Sequence, residues 1–128
     1  MNKWIASGAW ALALAVAIGA FGAHGLRGRL DGYSMDIYER AVFYHFVHAL
    51  GILIVAVATG AGLVHRATGV WVCWLLTAGI LLFSGSLYAL ALTGNRMLGA
   101  ITPFGGVSFI AAWIALAICV SRQQSPKL

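Results

Sequence analysis

Four stretches of the chain contain no Asp, Glu, Lys or Arg: residues 4–26, 41–65, 67–95 and 97–121. Each exceeds the ~18–20 apolar residues that carry an α-helix across a ~30 Å hydrocarbon core. Lipid offers no partner to backbone N–H and C=O groups, so a spanning segment must be a helix or belong to a closed β-barrel. Barrel strands alternate between lipid-facing and lumen-facing side chains over ~10 residues. Runs such as ALALAVAIGA and GVWVCWLLTAGILLF do not alternate. The 128 residues are therefore expected to form one domain, 1–128, with an all-α fold: an integral membrane four-helix bundle. Composition agrees. Only 9% of residues are charged and 62% are hydrophobic, whereas a soluble domain carries ~25% charged residues.

The net charge of +5 does not point to nucleic acid. The basic residues stand singly between apolar runs, as membrane-flanking charges do, and form no cluster that could follow a phosphate backbone. Cys73 and Cys119 lack CxxC spacing and read as small buried apolar residues. The five tryptophans, Trp4, Trp10, Trp71, Trp74 and Trp113, read as interface anchors or packing residues.

The spacing predicts helices over about 4–22, 37–60, 70–92 and 103–120. The first also has the outline of a signal peptide: Lys3, an apolar stretch, then small residues in GAFGAHG. Its apolar run is longer than the ~7–15 residues of a signal-peptide core. Ser7, Ala11, Ala15, Gly19 and Ala23 also recur every four residues, a stripe that lets another helix approach closely. A retained helix is expected. In DIYE, Asp36 and Glu39 have the spacing of a capping box opening the second helix. The third helix ends at TGN. In ITPFGG, Thr102 reads as the N-cap of the fourth, with Pro103 at its first position. Residues 97–103 are either a separate short piece or the start of a longer helix kinked at Pro103. Short loops make sequential helices antiparallel. The Lys/Arg count divides four against four: Lys3, Arg66, Arg122 and Lys127 on one side, Arg27, Arg29, Arg40 and Arg96 on the other. All three acidic residues lie on the second side, and both termini are expected to be cytoplasmic.

Ionisable groups inside a span normally face the bundle interior or a watery cavity. On the second helix Arg40, Tyr44 and His48 stack at i, i+4. Thr77, Ser84 and Tyr88 fall within about 40° on an ideal third helix. Ser86 points away from them and is expected to bond back to a carbonyl one turn earlier. Antiparallel packing brings these edges to one end of the bundle, together with His24, Arg27, Arg96 and Thr102. The candidate polar core or ligand-binding set is His24, Arg40, Tyr44, His48, Ser84, Tyr88, Arg96 and Thr102. Its first reading is structural, as hydrogen bonds between helices. A second is a pocket for a small amphipathic ligand such as a lipid head group or a quinone. A third, a metal site on His24, His45 and His48, has only an i, i+3 histidine pair behind it. No metal, cofactor or catalytic residue is assigned: the chain has no nucleophile motif and no paired carboxylates within a span.

GAFGAHGL at 19–26, YERAVFYHFVHALGIL at 38–53 and GILLFSGSLYALALTGNRMLGAITPFGGVSF at 79–109 resemble the bacterial YgdD/YwdK family. That family is the domain of unknown function 423, with a eukaryotic relative called transmembrane protein 256. The resemblance runs from about Gly8 to Ala117. It implies a four-helix protein of the bacterial inner membrane and implies no activity. It carries His24 and His48 as motif histidines, whereas the position of His45 is often glutamine. The further motif positions are Gly22, Ser84, Gly85, Ser86, Tyr88, Thr102, Pro103, Gly105 and Gly106. The functional expectation is a non-enzymatic structural or accessory component embedded in the lipid bilayer, forming a homo-oligomer or joining a larger membrane complex. The amphipathic-ligand pocket at the His/Arg-rich end is the alternative. A small multidrug-type transporter would resemble its kind in carrying a glutamate in the first helix, and this helix is uncharged.

Overall fold

A computed structural model of the chain describes residues 1–123. Lys127, counted above for orientation, lies outside them. Four long apolar helices are present: α1 (Asn2–Leu26), α2 (Gly32–Gly60), α3 (Arg66–Thr93) and α4 (Thr102–Gln123). A 3₁₀ turn, Arg96–Ala100, precedes α4. Two helices contain a π-helical turn: Gly22–Leu26 closes α1, and Ile80–Ser84 interrupts α3. At 1.5 Å per residue the 29 residues of α2 extend ~43 Å, more than the ~30 Å core, so its ends reach the interfaces.

Several element boundaries differ from expectation. The second helix opens at Asp31, not Asp36. Asp31 is extended (φ −67°, ψ 170°), and its carboxylate accepts the Ser34 backbone N–H at 2.7 Å. Asp36 and Glu39 lie inside the helix, so the DIYE spacing caps nothing. The local reason is that Asp31-Gly-Tyr-Ser offers its own N-cap geometry, an acceptor three residues ahead of a free N–H. That hydrogen bond holds the exposed Asp31 carboxyl below its usual range. The lowered pKa keeps the carboxylate charged and the cap fully effective at neutral pH, and the cap weakens as pH falls through and below the usual carboxylate range. The connection left between the expected helices 4–22 and 37–60 shrinks to Arg27–Asp31, because α1 and α2 both run into it.

The third helix starts four residues early, at Arg66. It ends where TGN predicted: Gly94 adopts a left-handed conformation (φ 71°) and its N–H returns to the Leu90 carbonyl at 2.8 Å. Asn95 then accepts the Met97 N–H at 3.1 Å and opens the 3₁₀ turn. Residues 97–103 thus take the two-piece form, with a break at Ile101.

The helices α2 and α3 form the centre. One end of the core gathers Ile37, Tyr38, Ala41, Leu87, Leu90 and Ala91. The other gathers Ile52, Val55, Val72, Cys73, Leu76 and Phe109. Helix α1 packs along one flank of α2, and α4 packs along α3. Trp4 meets Trp74 edge-to-face at 5.0 Å, so the starts of α1 and α3 lie at the same end, as antiparallel neighbours require.

Both flanking contacts depend on missing side chains. A Cβ on Gly8 would lie 2.9 Å from the Leu53 backbone nitrogen, and one on Gly105 would lie 2.3 Å from that of Phe83. Backbones this close exclude any larger residue. Replacing Gly105 by Ala is expected to push α4 off α3, costing roughly the 1–3 kcal/mol typical of overpacking. Gly85→Ala meets only the Ile80 carbonyl at 3.9 Å and serves as the neutral control. Unfolding of both variants in detergent checks this, and an unchanged midpoint for G105A would sink it. A second expectation concerns the cap. D31A should speed amide exchange over residues 32–35, while D36A should leave it unchanged.

Candidate functional site

The polar side chains on the two central helices meet in a different pairing from the one expected. His45 is buried on α2, and its Nδ1 lies 2.8 Å from the Tyr88 hydroxyl on α3. His48 does not reach Tyr88. Its Nδ1 lies 2.7 Å from the carbonyl of Tyr44, one turn back on its own helix. A carbonyl only accepts, so this Nδ1 carries the proton and donates. The His48 ring lies flat on Phe109 of α4, with centroids 3.5 Å apart and 12° between planes. Gly51 leaves the space in which Trp113 rests against α2: a Cβ there would come within 2.8 Å of the indole. His48 is therefore a packing residue at the α2–α4 contact, and His45 is the one that bonds across helices.

Helix α3 also departs from an ideal wheel. The π turn at Ile80–Ser84 takes up one extra residue. Everything beyond it is rotated by about 100° relative to a continuous α-helix. The 40° arc drawn through Thr77, Ser84 and Tyr88 assumes no such turn. Thr77 instead donates to the Cys73 carbonyl on its own helix at 2.8 Å.

Ser84, fully buried at the end of that turn, donates to the Ala41 carbonyl of α2 at 2.8 Å. Ser86 bonds back to the Phe83 carbonyl at 3.0 Å, as expected of it. It also reaches Thr102 of α4, hydroxyl to hydroxyl, at 2.6 Å. Thr102 therefore serves the interface and not an N-cap. Ser108 of α4 donates to the Leu75 carbonyl of α3 at 2.6 Å. Tyr38 of α2 donates to the Ile18 carbonyl of α1. Tyr44 joins through its ring, 4.4 Å from Phe83 and stacked over His48 at 5.8 Å.

Three of the eight expected residues stand apart. His24, Arg40 and Arg96 are exposed, and Arg96 lies 5.5 Å over the Tyr33 ring. The eight do not gather around one cavity. Among the described residues no three His, Cys, Asp or Glu side chains form a metal-holding group. No buried side-chain nitrogen or oxygen among them lacks a hydrogen-bond partner. His45 stands outside the eight expected residues, and its family position is often glutamine. A glutamine also offers hydrogen-bonding groups at that reach, so the substitution itself marks a position that bonds. Ser108 and Tyr38 gave no periodic signal, since each bonds to a backbone carbonyl that sequence does not mark.

Fold and site together define a small multi-pass helical membrane protein whose buried polar side chains are engaged within or between its own helices. The chain belongs to the family described as a protein of unknown function, DUF423, whose model matches residues 18–106. A UPF0382 membrane protein of Staphylococcus haemolyticus is 48% identical over 118 residues, covering 92% of this chain and 94% of that one. The UPF0382 membrane protein YwdK of Bacillus subtilis is 46% identical over 126 residues, covering 95% and 98%. No solved structure matches.

The His45–Tyr88 bond has a measurable weight. Interhelical hydrogen bonds in membranes average ~0.6 kcal/mol and reach ~1.7 kcal/mol. Tyr88→Phe is expected to lose an amount in that range, and a double-mutant cycle with His45→Ala should return it as coupling. His45→Gln should stay near wild type. Additive losses in the cycle would show that the two groups do not interact.

Proposed function

We propose that this chain is a non-enzymatic structural or accessory component of the bacterial inner (plasma) membrane, packing with copies of itself or with a larger membrane complex. The observation that supports this is the uneven use of its helices. In the most apolar window of each span, 44% and 39% of residues are buried within the chain for α2 and α3, against 17% for α1 and 17% for the segment containing α4.

Helix α1 carries two small-residue faces. Gly8, Ala15 and Gly22 are buried against α2. Ala6, Ala9, Ala13, Ala17 and Ala20 are all exposed. On a 100° wheel these alanines fall within about 80° of one another, on the opposite side from the glycine face. Lipid tails gain nothing from small residues, whereas a second helix gains close backbone approach.

The termini are assigned to the cytoplasmic side. Lys3, Arg66 and Arg122 lie at that end, and all three acidic residues lie at the other. A C-terminal reporter active only in the cytoplasm checks this assignment.

Ala13→Leu is the sharper test of the function. Wild-type protein in nanodiscs is expected to run as an oligomer or with a stable partner, and the variant as a folded monomer. A strictly monomeric wild type with no co-purifying subunit would overturn the reading.

A further inference from the structure

We propose that the groove between the end of α1 and the first half of α2 binds one phospholipid carrying a primary ammonium head group, with one acyl chain lying in the groove. The groove holds about 420 Å³ of free space. Its walls are Gly19 and Ala23 of α1 and Val42, Phe43, Phe46 and Val47 of α2. Arg27 and Glu39 line the same groove. None of the eight residues expected to form the polar core takes part.

Depth and charge both match a lipid. Arg27 follows the last turn of α1, and Glu39 lies two turns inside the long α2, so both belong to one interface. From Glu39 to Val47 is eight residues, ~12 Å of helix, close to the ~15 Å depth of one leaflet's hydrocarbon. The groove therefore runs from head-group level toward the bilayer midplane, as an acyl chain does. Phe43 is 63% uncovered by the rest of the chain and forms its apolar lip.

At the mouth stand one guanidinium and one carboxylate, and the structure records no ion pair between them. A guanidinium binds a phosphate through paired N–H donors. A carboxylate lining the same groove accepts N–H bonds from an ammonium. A phosphodiester and a primary ammonium on one head group satisfy both at once. A trimethylammonium head group has no N–H to give Glu39, and an anionic one without an amine leaves Glu39 facing like charge.

Full-length protein is delipidated in detergent and given phosphatidylethanolamine, phosphatidylcholine or phosphatidylglycerol of identical acyl chains. Retained lipid is read by native mass spectrometry. The expected result is several-fold greater retention of phosphatidylethanolamine than of either competitor. Glu39→Gln should abolish the preference over phosphatidylcholine, Arg27→Ala should lower retention of all three, and Ala23→Phe, which fills the groove, should remove the bound lipid. Both charge variants alter exposed side chains and keep the test valid if A23F fails to fold. Equal retention of the three lipids by the wild type, or an unchanged preference in E39Q, would overturn the proposal. The oligomer test on Ala13 is read on a different face of α1, so either result stands without the other.

Discussion

The Ser84 hydroxyl donates to the Ala41 carbonyl across the α2–α3 contact, 2.8 Å away and out of reach of both water and lipid. This type of bond recurs at the α1–α2 and α3–α4 contacts. Tyr38 gives its proton to a carbonyl of α1, and Ser108 gives its own to a carbonyl of α3. Ser86 meets Thr102 between α3 and α4. In hydrocarbon the alternative to such a bond is a polar group with no partner, which costs several kcal/mol. The net gain per bond is small, because an unpacked helix in the membrane also finds partners for its hydroxyls. The bonds therefore act on register more than on stability. Each permits one rotation and one height of its helix against the next.

Close approach is what brings the donors into range. A hydroxyl on a short side chain reaches a neighbouring carbonyl only where the backbones nearly touch, and Gly8 and Gly105 allow this on the two flanks of the central pair. The π turn in α3 precedes Ser84 and Tyr88 and so sets the phase of both, Ser84 on Ala41 and Tyr88 on His45. Aromatic packing completes the α2–α4 contact, where His48 lies flat on Phe109 and Trp113 rests over Gly51. The result is an interior without an unpartnered buried side-chain nitrogen or oxygen among the described residues. The residues left without a neighbour from the chain lie outside: the alanine face of α1, the outer side of α4, and the charged mouth of the α1–α2 groove.

Much of the architecture was legible from simple rules. Four uncharged stretches require four helices, because lipid forbids an unbonded backbone, and the end of α3 was readable from a glycine that accepts a left-handed turn. The misreadings have specific causes. Two acidic residues five apart, Asp31 and Asp36, both stand before helix-compatible sequence, and only the backbone at Asp31 is extended enough to cap. The stripe Ser7, Ala11, Ala15, Gly19, Ala23 advances ~40° at each step and so winds across the helix surface. The face that packs follows a seven-residue repeat, Gly8, Ala15 and Gly22, which drifts only ~20° per step.

By itself the sequence determined the solvent, the number of spans and their antiparallel order, since these follow from hydropathy, chain length and loop length. It also supplied the inventory of hydroxyls, imidazoles and small residues. Tertiary structure alone decided the partners. His45 bonds to Tyr88 and His48 does not, because the Ser84–Ala41 contact sets Tyr88 at a level that His45, three residues nearer Ala41, reaches; the π turn also resets the phase of α3 by about a quarter of a rotation. Such a turn has no residue signature, and the carbonyls that accept from Ser84, Ser108 and Tyr38 belong to a backbone that reads the same at every position.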